Sequence, residues 1–130
     1  MQNREAGVGG VAGAVIARLE AALPGWDESS LRVEDLARVS GVSPRTLHRA
    51  FARHYGAPPI AHLRRARLQS VRRHLQAAGP GETVTSVAFD WGFSHLGRFA
   101  AYYAACFGER PSETLRRRRA GGKARAIPAA

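Results

Sequence analysis

One cysteine, Cys106, stands in 130 residues, so the chain can close no internal disulfide and assemble no thiolate cluster for zinc. No apolar run approaches the ~18 residues that span a bilayer, and the opening MQNREAGVGG has no apolar signal-peptide core. A cytoplasmic protein is the expectation. Paired carboxylates and phosphate-cradling glycines are missing too, and no carboxylate or cysteine is spaced for metal binding with His54, His62 or His74. No enzyme, cofactor or metal site is therefore expected. Acidic residues are scarce, 10 against 20 basic ones, and the net charge of +10 with a pI near 11.4 favours a polyanionic partner. A membrane surface is the weaker choice, because the basic C-terminal run has no apolar face to insert.

What the chain does have is ordinary apolar content, 45%, and charge that is unevenly spread. Residues 1–31 carry a net −2, 32–57 a net +3, 58–78 a net +5, 79–115 a net −2 and 116–130 a net +6. The stretch 58–78 holds five arginines (Arg64, Arg65, Arg67, Arg72, Arg73) and no acid. Ile60, Leu63, Leu68, Val71 and Leu75 give it a narrow apolar stripe at helical spacing, and the arginines are expected over the rest of the cylinder. Pro58-Pro59 start this rod and Gly79-Pro80-Gly81 end it.

The segments on either side share one internal logic. After a glycine-rich lead-in, 1–10, apolar residues from Val11 to Leu23 predict a first helix. A short helix over Val33 to Ser40 then turns at Gly41-Val42, and Ser43-Pro44 open a second helix to Tyr55, closed by Gly56. Beyond the rod, Thr83 or Thr85 caps a helix containing Val84, Val87, Ala88 and Trp91. Gly92-Phe93 make the turn, and Ser94 or His95 starts a helix through Phe107. Its inner face is expected to carry Phe99, Tyr103, Cys106 and Phe107, with Leu96 and Tyr102 alongside, and both tryptophans are expected in cores. Helix, tight turn, helix is the helix-turn-helix pattern, and here it occurs twice.

On the first unit's second helix, Leu47, Ala50, Phe51, His54 and Tyr55 share one side, while Arg45 and Arg49 point away, flanked by Thr46, His48 and Arg53. Such a face suits the major groove, since guanidinium groups bond guanine bidentately while neighbours reach phosphate. On the second unit the outward positions are Gly97, Ala101 and Ala104, leaving Arg98 and His95 as the hydrogen-bonding side chains.

These residues resemble the DNA-binding domain of the AraC/XylS family of bacterial transcription regulators. The match runs through VAFDWGFSHLGRFAAYYAACFGERPSETLRR, the first unit LARVSGVSPRTLHRAFARHYG and the connector LRRARLQSVRRHL, covering about residues 11–119. The resemblance implies an all-α fold of about seven helices, two homeodomain-like units on a linker helix, with recognition helices in successive major grooves. The units fall at 11–57, 58–78 and 79–119; the basic run beyond them, 120–130, is by its composition expected to be a disordered solvated end, the functional alternative being nonspecific attraction to phosphate. By position, base reading falls on Arg45, His48 and Arg49, and on Leu96, Gly97, Arg98, Ala100 and Ala101. Ala100 and Ala101 depart from the polar or basic side chains that the family often has there. The combined candidate DNA site is Ser43, Arg45, Thr46, His48, Arg49, Arg53, Ser94, His95, Gly97 and Arg98. Expected partners are a double-stranded operator, RNA polymerase and a sensing and dimerising domain upstream. The alternative is a nonspecific basic nucleic-acid binder, architectural or RNA-directed.

Overall fold

The computed structural model describes residues 13–14, 17–18, 21 and 26–124. Gly13, Ala14, Ala17, Arg18 and Ala21 are helical. The rest of the helix expected over Val11 to Leu23, the lead-in 1–10 and residues 125–130 lie outside the described residues. A 3-10 turn at Glu28–Ser30 precedes six helices, α1 (Val33–Ser40), α2 (Pro44–Tyr55), α3 (Pro59–Gln76), α4 (Val84–Asp90), α5 (Leu96–Phe107) and α6 (Pro111–Ala124). No strand occurs among the described residues, so the all-α expectation holds.

Local chemistry accounts for most boundaries. Asp35 Oδ2 accepts the Arg32 N–H at the start of α1, and Gly41, at φ +74°, ends it in the left-handed conformation that suits glycine. Ser43 Oγ accepts the Thr46 N–H at 3.1 Å, and Pro44 occupies the first turn of α2, where a missing N–H costs nothing. Thr83 and Ser86 cap each other's backbone at the start of α4, which decides between the two threonines.

The chain divides into two compact units, Met1–Arg65 and Ala66–Ala130, with the boundary inside α3. In the first, Leu36 and Ala37 of α1, Leu47 and Phe51 of α2 and Leu63 of α3 form the buried core, with Trp26, Val42 and Ile60 packed on it. In the second, Leu68, Val71 and Leu75 of α3 join Val87, Ala88, Phe93, Phe99, Tyr103 and Leu115. One apolar stripe thus serves two cores, each aromatic anchor contributing about 1.5–3 kcal/mol through burial.

Several expectations need correction. Arg67 is buried, although the arginines were expected on the open side of the rod. It stands four residues after Leu63 and four before Val71, which puts it on the stripe itself. Trp91 is the residue after α4, exposed rather than core, because the helix stops at Asp90. Leu96, at the first position of α5, is likewise exposed. Helix α6 continues through Ala124, past the Ala120 at which a disordered tail was expected.

The α6 arginines are partly committed inside the second unit. Arg117 pairs with Glu109, Arg118 donates to the Ala78 carbonyl at 3.3 Å and Arg119 to the Glu82 carbonyl at 2.6 Å. The second unit is closed further by a buried hydroxyl relay, in which Tyr103 and Thr114 share a 2.7 Å hydrogen bond and Thr114 donates to Glu109. Burial pushes the Tyr103 phenol above its ordinary 10.0. In the first unit the comparable closure is ionic, with Arg64 Nε 2.7 Å from a buried carboxylate oxygen of Glu28.

Candidate nucleic-acid interface

Leu47 and Phe51, four residues apart on α2, are fully buried, and this fixes the rotation of the helix about its axis. Arg45, Thr46, His48, Arg49 and Arg53 are all exposed as a result. No ion pair or side-chain hydrogen bond holds Arg45, His48, Arg49 or Arg53 among the described residues. The three guanidinium charges and the His48 ring stay available to an outside polyanion. Ser43 is exposed as well, but its hydroxyl is occupied, accepting the Thr46 N–H and donating to Thr46 Oγ1 at 3.0 Å. It shapes the start of α2 and has no proton left to offer.

Phe99 and Tyr103 do for α5 what Leu47 and Phe51 do for α2. Leu96, Gly97, Arg98, Ala101 and Ala105 are exposed, while Ala100 and Ala104 are half-buried. The turn before α5 is one residue longer than its counterpart. Gly41-Val42-Ser43 leads into α2, whereas Gly92-Phe93-Ser94-His95 leads into α5, and the cap falls on His95, whose Nδ1 accepts the Arg98 N–H at 3.2 Å. Gly92 takes φ +86°, repeating the left-handed corner of Gly41. The structure therefore groups the site residues of each unit on one exposed helix face with its preceding turn.

A helix-turn-helix domain model matches residues 36–117 of the chain. The chain belongs to the AraC/XylS family of transcription regulators. It is 41% identical over 93 residues to the XylDLEGF operon transcriptional activator 3 of Pseudomonas putida, covering 71% of this chain and 28% of that protein. It is 43% identical over 90 residues to a probable thc operon regulatory protein of Rhodococcus erythropolis, covering 68% and 27%. The chain thus spans little more than a quarter of the length of these relatives. Among solved structures it is similar to a probable AraC family transcriptional regulator from Rhodopseudomonas palustris. That match has 37% identity and a TM-score of 0.69, and covers 84% of this chain and 97% of the other. Membership of the AraC/XylS family makes residues 36–117 a helix-turn-helix DNA-binding region.

Away from the recognition helices, this AraC-type domain brings together residues that spacing alone does not connect. His74, Glu82 and Asp90 place one ligand-capable atom each within 4.8 Å of one another, although no carboxylate is expected near His74 from the sequence. The ring of His74 is already engaged. Nδ1 accepts the Trp91 indole N–H at 3.0 Å, so the proton sits on Nε2 and faces Glu82. A metal at Nε2 would need that proton moved to the nitrogen that Trp91 occupies, so the cluster is built as a hydrogen-bond chain. The Gly79 N–H, followed by His74, holds the Glu82 carboxyl below its ordinary value. Arg72 is likewise drawn inward, its guanidinium carbon 4.8 Å from the centre of the Phe107 ring.

No helix among the described residues is long and apolar enough to cross a membrane.

Proposed function

We propose that the two units divide the work of binding an operator, with α2 supplying most of the base discrimination and α5 mainly gripping the backbone and sensing groove shape. The observation that carries this is the contrast between the exposed faces. Arg45, His48, Arg49 and Arg53 can each hydrogen-bond to bases or phosphates, and the matching positions Gly97, Ala100, Ala101 and Ala105 cannot. Thr46 and Arg98 add one further polar contact each, and Ser94 lies in the turn ahead of α5. Small side chains let helix and groove approach closely while naming few bases.

The family and the activators named among its relatives support the rest of the reading. This is a regulator of transcription that recruits or contacts RNA polymerase, with a sensing and dimerising domain in the longer protein. Selection of bound sequences from random double-stranded DNA tests it, followed by competition against bulk DNA. A recovered consensus that resists competition is the expected result. Equal affinity for bulk DNA or RNA would leave only the nonspecific basic binder.

A further inference from the structure

Short polar side chains make the best helix caps, because they reach the N–H of the second or third residue without strain. Ser43 fills that role for α2. At the start of α5 the cap is an imidazole, although Ser94 stands one residue earlier. The Arg98 backbone N–H can only donate, so the His95 Nδ1 that accepts it carries no proton. In the neutral ring the proton is then on Nε2. The cap thereby fixes the tautomer.

Nε2 has no hydrogen-bond partner among the described residues, and the side chain is exposed. Gly97 helps to keep the ring uncovered, since a Cβ at that position would first meet the His95 ring carbon between the two nitrogens, at 3.9 Å. The neighbouring Leu96, Gly97 and Ala101 side chains offer no donor of their own. The first unit has no equivalent, because the proton of its capping hydroxyl is spent on Thr46.

We propose that His95 is a tautomer-locked hydrogen-bond donor, presenting Nε2–H to an acceptor on the DNA, either a phosphate oxygen or a purine N7. Cytosine's N4 amino group, a donor, is refused at that point. This rests on the reading that α5 lies against DNA, and it gives the second unit one directional contact in a face otherwise without donors except Arg98.

The test compares the full chain with His95→Ser and His95→Ala on DNA selected by the wild type. Serine keeps the cap, but its short hydroxyl, held against the helix end, cannot reach the point at which Nε2–H is presented, so His95→Ser should keep the wild-type melting temperature and bind about tenfold more weakly. His95→Ala should lose both stability and affinity. Single methylphosphonate linkages mark a phosphate acceptor and 7-deazapurines mark a purine N7. One such change should weaken the wild type and leave His95→Ser unaffected. Equal affinity of His95→Ser and wild type, or no modification with that pattern, would overturn the proposal. Nitrogen-15 shifts of the His95 ring test the tautomer without DNA. Nε2–H is expected, and Nδ1–H would refute the lock. A wild type that selects no sequence at all would instead refute the preceding reading of the domain.

Discussion

When Leu96 is laid on Pro44, α2 and α5 agree in character at the anchors that pack into the two cores and differ at the candidate DNA-facing positions. Leu47 corresponds to Phe99, Phe51 to Tyr103, Tyr55 to Phe107, and the closing Gly56 to Gly108. Outward, Arg45 meets Gly97, His48 meets Ala100, Arg49 meets Ala101 and Arg53 meets Ala105. The inward set answers to one geometric demand, filling the corner between two short helices, and only bulky apolar side chains satisfy it. The outward set answers to the ligand, and nothing in the fold requires the two units to read alike. The means of closure also differ. An ion pair between Glu28 and Arg64 closes the first unit, and a hydroxyl relay with the arginines of α6 closes the second.

Removing the ionic closure should break the first unit hardest. Glu28→Ala leaves Arg64 half-buried without its carboxylate, and a loss of about 3 kcal/mol is expected, at the low end for a buried pair because Arg64 keeps some contact with water. Each unit holds one of the two tryptophans, so urea unfolding followed by Trp26 in a Trp91→Phe background reports the first unit alone. Next comes the outward contrast. Arg49→Ala should cost about 2 kcal/mol at one base position and relax preference there, measured against single-base operator variants. Ala101→Gly, in the matching place, should leave base preference unchanged.

Tyr103→Phe removes one buried hydroxyl of the second unit while Thr114 keeps its bond to Glu109. A loss of about 1 kcal/mol is expected, read by Trp91 fluorescence. The smallest effect is a difference in pH window. Burial first, then Arg65 and His54, lower the His62 pKa from its ordinary 6.5, so the unfolded chain takes up the proton more readily. The stability that His62 contributes to the first unit is present above pH 6.5 and declines as pH falls below it. Glu82, lowered from 4.5, contributes to the second unit above that pH and loses its contribution as pH falls further. Urea midpoints of the two tryptophan signals at several pH values should separate these windows, and His62→Phe should flatten the first.

Much of the fold and of the first recognition face is legible in local sequence signals. Ser43-Pro44, Gly41 and Gly56 bound α2 because caps and left-handed corners depend on adjacent residues, and the rotation of α2 follows from Leu47 and Phe51. What escapes such signals involves distance or a competing period. Glu28 lies too far from Arg64 in sequence for any spacing rule to join them, and His74 meets Glu82 and Trp91 only after the chain has turned at Gly79. Arg67 occupies a stripe position that its charge argues against. Trp91 looks like core by residue type and is exposed because its helix ends one residue earlier. Sequence leaves the cap of α5 open between Ser94 and His95, and the longer turn decides for His95.

The division of labour between the units is tested most directly by measuring the wild-type chain's affinity across a library in which every base pair of the selected site is varied singly. Base preference should be concentrated in the half-site contacted through Arg45, His48 and Arg49, with a shallow profile beneath α5. Equal or stronger preference in the half-site beneath Arg98 would contradict the account.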